Sequence, residues 1–147
     1  MPLPKGYTRL KYIESTGIQY IDTGFKPNQN TRVVFTVRLE STSPSTIGFL
    51  GCTEPTTSKA YVVYRNSDGL RVKFDTTLFT HPVADSNSPL TIDINGLSKT
   101  ITTSDGNVSD LPTVEFNIEY PIYLFALNTG GKAANMGTIE CYGCQIY

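Results

Sequence analysis

The sequence predicts an all-β fold, either a sandwich or a barrel. Apolar and polar residues alternate with period two along nearly the whole chain, and turn-forming residues interrupt the alternation at short intervals. No segment combines a helical period with helix caps. Short strands at close spacing are typical of sandwiches and barrels.

Several strands are predicted from their patterns. In TRVVFTVRLE, every second residue from Val33 to Leu39 is apolar. AYVVYRN and LRVKFDT flank Ser67-Asp68-Gly69, which predicts a hairpin because Asp-Gly readily adopts positive φ. LTIDING and SKTITTSDG also end in turn dipeptides. PIYLFALN is apolar on both faces, as expected of a central strand, and GTIECYGCQIY is the last predicted strand.

The bulk composition limits the size and the partners of the molecule. The chain has 147 residues, enough for one domain with a real core, and STSPST and DSNSP are loops too short to separate domains. A net charge of −1 favours no nucleic-acid partner. No apolar run could cross a bilayer and MPLPKGY has no signal-peptide core, so no membrane partner is predicted.

The three cysteines do not predict a metal site or a cofactor. Cys141 and Cys144 form a C-x-x-C pair, but zinc needs two further ligands, and only Cys52 and His81 are available. A thioredoxin-type pair opens a helix, whereas this pair lies in an extended segment. Buried free thiols are the favoured interpretation, ahead of a disulfide and a metal site.

Read in order, the strand segments resemble the concanavalin A-like, laminin-G-like jelly-roll modules. The match is best to the version found in tail and baseplate proteins of phages and prophages of Gram-positive bacteria. Their opening phrase, L-x-x-G-Y-x-x-L-x-Y-I-E-S-T-G-x-Q-Y-I-D-T-G, is matched by Leu3, Gly6, Tyr7, Leu10 and residues 12–17 and 19–24. A late L-F-A-x-N phrase matches residues 124–128, and a closing C-x-I-Y phrase matches residues 144–147. The resemblance spans essentially the whole chain.

The resemblance implies a jelly-roll sandwich of two antiparallel sheets over residues 1–147. Related chains continue after the closing phrase, and this chain also starts abruptly, so we expect a module excised from or carried in a larger protein. The implied function is non-catalytic binding or adhesion to surface saccharide of a Gram-positive host, on a virion or outside a cell. Two alternatives stay open, namely a virion assembly domain that contacts other tail proteins and binds no sugar, and a secreted bacterial adhesin or lectin.

The opening stretch YIESTGIQYIDTGF is predicted to be scaffold. Ile13, Tyr20 and Phe25 would pack between the two sheets, and the Thr-Gly pairs would turn the chain. Glu14 and Asp22 would then lie near strand ends and accept hydrogen bonds there.

Enzymatic function is not expected. Glycoside hydrolases of related fold carry E-x-D-x-E on one strand face, and no such triplet is present. Asp68, Asp75 and Asp93 are separated by turns, and tryptophan is absent. His81 is the sole histidine and has no nucleophile elbow nearby, so a packing role is favoured over catalysis. Calcium is suggested only by analogy with laminin-G modules, since there is no Asp-rich loop.

Saccharide binding needs aromatic rings for stacking and polar groups for the hydroxyls. The assumed outward register supplies the candidates Tyr61, Arg65, Arg71, Lys73, Tyr123, Phe125 and Asn128. In this register Arg65 and Arg71 lie across the hairpin, opposite to the face of Val62, Val72 and Phe74. Core packing is the alternative for each ring, and a solvated face the alternative for each cation. The loops around His81 and Lys132 are the second choice.

Overall fold

A computed structural model describes residues 5–6, 10–39, 46–84 and 88–147, so the predicted loops STSPST and DSNSP lie largely outside the described residues. Within them the chain forms strands and no helix, which confirms the predicted all-β jelly-roll sandwich. The strands are β1 (Ile13–Thr16), β2 (Ile21–Asp22), β3 (Arg32–Leu39), β4 (Ile47–Thr53), β5 (Ala60–Asn66), β6 (Gly69–Asp75), β7 (Thr77–His81), β8 (Leu90–Asn95), β9 (Thr100–Thr103), β10 (Val108–Asp110), β11 (Tyr123–Leu124), β12 (Leu127–Thr129), β13 (Lys132–Ala134) and β14 (Thr138–Ile146).

The strands form two sheets. The six-stranded sheet has the order β1-β14-β3-β8-β9-β10, and the eight-stranded sheet has the order β13-β12-β4-β5-β6-β7, with β11 on β4 and β2 on β11. All described pairings are antiparallel except that of β12 with β4. The predicted last strand is therefore an interior strand, because β14 lies between β1 and β3.

The core lies between the inner faces of the two sheets. Val33, Phe35 and Val37 are buried there, as their alternation predicts. At the centre of the core the Phe74 ring lies 5.6 Å from the Tyr61 ring and makes an edge contact with Phe116 at 4.9 Å between centroids. Phe116 belongs to the segment between β10 and β11, which connects the two sheets. These ring contacts therefore pack that connecting segment against the eight-stranded sheet.

The segment PIYLFALN is not a central strand, so that prediction is wrong. It divides into β11, antiparallel to β4, and β12, parallel to β4. The chain must turn between them, and Phe125 adopts φ = 67°, which is rare for a bulky side chain. The segment is apolar on both faces because its turn is buried, with Phe125 and Ala126 in the core.

The opening segment covers one side of the sandwich instead of packing between the sheets. It runs from β1, at the edge of the six-stranded sheet, to β2, which is bonded to β11 of the other sheet. We call this side the opening seam. The predicted burial of Ile13, Tyr20 and Phe25 is wrong, since these side chains are 38%, 46% and 36% exposed.

The residue on the inner side of β1 explains why this segment does not pack between the sheets. Its one buried residue is Ser15, which is small and polar, so β1 offers the core little apolar volume. Asp22 fits its predicted structural role, because its carboxylate accepts a hydrogen bond from the Gly24 N–H at 2.9 Å.

Replacing Phe74 by alanine should lower the free energy of unfolding by about 3–5 kcal/mol, because the truncation removes both ring contacts and leaves a cavity. Urea unfolding followed by circular dichroism measures the change. The control is Leu78→Ala on the neighbouring strand, whose side chain is 45% exposed and should contribute less than about 0.5 kcal/mol. Equal effects of the two substitutions would contradict the proposed central position of Phe74.

Candidate functional site

The β5–β6 hairpin has a two-residue turn, and this turn fixes which side chains face outward. Asn66 pairs with Gly69, so Ser67 and Asp68 form the connection. Tyr64 consequently pairs with Arg71, and Arg65 pairs with the buried Leu70. The predicted pairing of Arg65 with Arg71 is wrong by one residue, and a slip of one residue moves a whole set of side chains to the opposite face.

Two rows of side chains cross the outer face of the hairpin and of β7. The first row is Tyr64, Arg71 and Thr80, and the second row is Val62, Lys73 and Leu78. We call these six residues the hairpin face. It brings together one aromatic ring, two cations and one hydroxyl on adjacent strands, which are groups that can stack on a pyranose and bind its hydroxyls.

The Tyr64 ring rests on a small apolar cluster of the outer face. Ala60, Val62 and Leu127 are buried in this cluster, and Tyr64 packs against them while staying partly exposed. Leu127 can lie this close because position 48 is a glycine. A Cβ atom at Gly48 would meet the Leu127 Cγ at 2.7 Å. The inner side of the Tyr64 ring is therefore supported by this cluster, and its outer side is exposed to solvent.

The two cations differ in how firmly they are held. Arg71 donates from Nη1 to the Thr80 hydroxyl at 2.7 Å and lies 3.9 Å from the Asp68 carboxylate. Its buried Nε–H has no hydrogen-bond acceptor, so the donors of the guanidinium are not all satisfied. Within the described part of the chain, no ion pair engages the Lys73 ammonium.

A polar cleft of about 290 Å³ continues from the hairpin face to the end of the hairpin. Its lining includes Asn66, Asp68 and Thr80, and Thr80 belongs to both the cleft and the hairpin face. Arg65 lines this cleft and a second one, also of about 290 Å³, that opens between the sheets. The first cleft is near the lower limit of ligand pockets, about 300 Å³, and suits one sugar unit.

The outer face of the six-stranded sheet is different, because Arg32 and Arg38 on it are already paired with carboxylates. Arg32 makes two hydrogen bonds to Asp93, at 3.0 and 2.7 Å. Arg38 likewise makes two to Glu140, at 2.8 and 3.0 Å. Such paired groups have few donors left for a ligand. The hairpin face is thus the better candidate of the two outer faces.

Several predicted site residues lie elsewhere, among them Phe125, which is in the core. Tyr61 is on the inner face, 1% exposed, where its hydroxyl donates to the Thr31 carbonyl at 3.3 Å. Asn128 is fully buried, donates to the Pro121 carbonyl at 2.8 Å and accepts from the Gly131 N–H at 2.7 Å. Tyr123 is buried beside the opening seam beneath Tyr20, with the ring centroids 4.6 Å apart. The predicted common face of Tyr61, Arg65, Arg71 and Tyr123 is therefore not formed.

His81, which was also predicted as a saccharide-binding residue, has no exposed side chain and instead closes the other side of the sandwich. It is fully buried, and its Nδ1 and Nε2 lie 2.8 Å from the Ser109 hydroxyl and 3.0 Å from the Thr103 hydroxyl. Because these partners are on β10 and β9, His81 ties the edge of the eight-stranded sheet to the edge of the six-stranded sheet. We call this side the His81 seam.

The hydrogen bonds at the His81 seam define its tautomer. Thr103 donates its hydroxyl hydrogen to Asp105 at 2.5 Å, so it must accept from His81 Nε2–H, and Nδ1 then accepts from Ser109. Burial lowers the pKa of His81, an effect that the Asp105 charge partly opposes. The hydrogen bond from Thr103, followed by that from the Ala84 N–H, lowers the pKa of Asp105 to about 2.

Tyr64 and Thr80 were not among the site residues predicted from the sequence. Both residue parities of AYVVYRN contain tyrosine and valine, so alternation alone does not tell the inner face from the outer one. The signal that could have found Tyr64 is the turn, because a two-residue connection is the commonest in hairpins and gives the observed pairing. Arg71 and Lys73 were predicted to face outward, and they do.

The carboxylates predicted to be the nearest set do not face each other across a cleft. Asp68 lies in the turn before β6 and Asp75 is the last residue of β6, so they are roughly 20 Å apart at the usual rise per strand residue. Asp93 is on the other sheet and is paired with Arg32. Glu14 and Glu140 are opposite each other in adjacent strands, but both oxygens of Glu140 accept from Arg38. Glycoside hydrolysis needs two carboxyl groups roughly 5–9.5 Å apart with one able to give a proton.

The cysteines lie in apolar surroundings. Burial raises the pKa of Cys52 to about 12 and, with a smaller contribution from Cys141, the pKa of Cys144 to about 11. The residues that the structure describes contain no group of three metal-ligating side chains. Metal ligation and nucleophilic attack both need the thiolate, which this environment disfavours.

Comparison with known proteins shows the fold. No family model and no curated protein matches the chain. Among solved structures, it is similar to the Ruminococcus gnavus IT-sialidase CBM40 bound to α2,3-sialyllactose (TM-score 0.62, 15% identity, covering 94% of this chain and 90% of that one). It is also similar to Streptococcus pneumoniae NanB sialidase in a mutant form (TM-score 0.60, 13% identity, 92% of this chain) and to NanB with Optactamide (TM-score 0.59, 13% identity, 91% of this chain).

The coverage of these structures is unequal. The chain spans 26% of the length of each NanB chain but nearly all of the CBM40 chain. The similarity is thus to a β-sandwich of the kind seen in a carbohydrate-binding module. No helix in the described residues is long and apolar enough to span a membrane.

The free energy of unfolding should fall as the pH drops below 6.5. Above that value His81 is neutral in both states, but below it the unfolded chain binds a proton that the folded His81 resists, because its pKa is lowered by burial. The contribution of His81 to the free energy of unfolding is therefore fully present above pH 6.5. It is lost as the pH falls from 6.5 to the pKa of His81 in the folded state. Urea unfolding between pH 8 and pH 5 measures this.

The matched variant is His81→Gln, which removes the sole histidine and should leave a nearly flat profile between pH 8 and pH 5. If the variant and the parent lose stability in parallel over this interval, His81 does not cause the pH dependence. The contribution of Asp105 falls in a separate window, from its ordinary value of 3.8 to about 2.

Proposed function

We propose that this chain is a non-catalytic saccharide-binding or adhesion module of a phage tail or baseplate protein. Its partner is cell-wall or surface polysaccharide of a Gram-positive host, and it acts on the virion or outside a cell, beside other tail proteins. The observation that carries the binding proposal is the hairpin face, where the supported Tyr64 ring lies beside Arg71 and Lys73.

Each group has a definite part in the proposed binding. The Tyr64 ring stacks on the apolar side of a pyranose. Lys73 and Arg71 donate to hydroxyl or ring oxygens, and Thr80 extends the contact into the polar cleft, where Arg65 and Asn66 complete the lining. Asp68 lies 3.9 Å from Arg71 and offsets its charge, and Asp75 is two residues from Lys73 along β6, so the face does not demand a charged sugar.

Two kinds of similarity support the proposal. The fold is shared with a module whose structure was determined with α2,3-sialyllactose bound, at 15% identity. The opening phrase of the sequence resembles that of tail and baseplate modules of phages of Gram-positive bacteria. The first similarity supports saccharide binding as a use of this fold, and the second supports the phage context.

The alternative function is that of an assembly domain without sugar binding. One observation favours it, namely the exposed apolar side chains of the opening segment, which include Leu10 at 67% and Ile18 at 78%. This surface lies at the opening seam, away from the hairpin face on β5, β6 and β7. The two functions are therefore separable by mutation.

Tyr64→Ala should weaken saccharide binding roughly five- to tenfold, since a stacked ring contributes about 1 kcal/mol or slightly more. Lys73→Gln should weaken it by a smaller factor. A glycan array with Gram-positive wall polysaccharides and α2,3-sialyllactose identifies a ligand, and calorimetry then measures its affinity.

The control is Tyr147→Ala, which removes an exposed ring (63%) on the six-stranded side. It should leave the affinity unchanged, and circular dichroism should show that both variants fold. If Tyr64→Ala binds as the parent does, the hairpin face is wrong and the loop at Lys132 is next. If the parent binds no glycan, the assembly function replaces the binding function.

Incubation with a bound polysaccharide should release no reducing ends, because the described carboxylates do not form an acid and base pair across a cleft. The measurement is a reducing-sugar assay over a long incubation. Release of ends that Asp75→Asn or Glu14→Gln abolishes would show that the chain is a hydrolase.

A further inference from the structure

Exposed apolar side chains are concentrated in the opening segment. Seven of the eleven large apolar residues that are exposed in the described part of the chain fall between Leu10 and Phe25. They are Leu10, Tyr12, Ile13, Ile18, Tyr20, Ile21 and Phe25, and we call them the opening surface. Side chains of this size together present on the order of several hundred Å², about as much as or more than the largest apolar patch of a typical monomer.

The opening surface is continuous with an apolar cleft in the opening seam. The cleft has a volume of about 320 Å³ and is lined by Leu10, Tyr12 and Ile13 on one side and by Leu124 on the other. Leu124 pairs with Ile21 on β2, so the opening surface extends from β1 to β2. Tyr20 adjoins them, stacked on Tyr123. The surface therefore runs across both sheets.

The exposed edge of β1 is not a free template for another strand. The Gln19 side chain folds back on it, where its Oε1 accepts from the Thr16 N–H at 2.8 Å and from the Thr16 hydroxyl at 2.9 Å. The strand is also only four residues long. Both features are common protections of edge strands. A partner of the opening surface must therefore pack against its side chains.

The charges beside the apolar residues suit a second copy of the same chain. Lys11 and Glu14 are both exposed, and neither has an ion-pair partner among the described residues. In a twofold contact, a residue that meets a second position on the other copy is met by that position in return. An unpaired cation and an unpaired anion on one surface can therefore pair twice across the axis. A surface of a single sign would repel its own copy.

We propose that the opening surface is the contact of a symmetric dimer of this chain, with the apolar residues in its centre and Lys11 of each copy facing Glu14 of the other. These several hundred Å² are of the same order as the roughly 800 Å² per partner that a standard interface buries. Two exposed tyrosines, Tyr12 and Tyr20, supply the kind of residue that carries most binding energy in interfaces. The dimer leaves the hairpin face of each copy open.

Sedimentation velocity over a concentration series tests this proposal on the full chain. The parent should show a reversible dimer in the micromolar range. Ile18→Glu should weaken dimerisation at least about tenfold, because it places a charge in the apolar centre. The matched control is Leu97→Glu, which changes an equally exposed residue (73%) in the turn between β8 and β9 and should leave the dimer unchanged.

A charge exchange distinguishes a symmetric dimer from other association. Lys11→Glu alone and Glu14→Lys alone should each weaken the dimer, since like charges then meet, and the double variant should recover it. A parent that stays monomeric up to about 1 mM overturns the proposal. So does a dimer that Ile18→Glu and Leu97→Glu affect equally, or that the double variant does not recover. Binding of a different protein to a monomeric parent also overturns it.

Discussion

The burial of Tyr61 and Phe74 against Phe116 is the constraint on which the rest of the structure depends. These rings occupy the centre of the core, and the Tyr61 hydroxyl also donates to the carbonyl of Thr31, the residue just before β3. Once they point inward, the register of the β5–β6 hairpin is decided, because a sheet alternates its side chains strictly. Tyr64, Arg71 and Lys73 must then point outward. The candidate binding face is thus a consequence of how the core is packed.

The same alternation makes the two outer faces chemically different. On the six-stranded sheet the outward Arg32 and Arg38 pair with Asp93 and Glu140 on adjacent strands, and these hydrogen bonds are made within the molecule. On the eight-stranded sheet the outward residues are a ring, two cations and a hydroxyl, of which one Arg71 donor and the Lys73 ammonium have no partner in the described part of the chain. A face with satisfied groups contributes stability, whereas one with spare donors can contribute binding. This contrast is why the second face is the candidate site.

Most of the fold could be predicted from the sequence, because alternation and turn residues are local signals. The buried positions of β3, β6 and β8 follow directly from the alternation of apolar and polar residues. The hairpin register could not be fixed in this way, since AYVVYRN has aromatic and aliphatic residues on both faces and one residue of turn length exchanges them. The exposure of Ile13 and Tyr20 was missed for a different reason. Whether an apolar segment lies between two sheets or across their side depends on the tertiary arrangement, which a local pattern does not record.

The two sides of the sandwich are closed by different means, and this difference separates the two proposed functions in space. At the His81 seam a buried imidazole is hydrogen-bonded to β9 and β10. Its polar groups are thus paired within the molecule and offer a partner few donors or acceptors. At the opening seam the chain crosses between the sheets with Ser15 as its buried residue in β1 and leaves its larger side chains outside. An apolar side that the described residues leave exposed is stabilised most simply by a second molecule. The hairpin face extends to β7, which lies at the His81 seam and not at the opening seam. A dimer that forms through the opening seam would therefore leave the hairpin faces of both copies exposed. Two weak sites on one particle bind a polymeric saccharide more tightly than either site alone.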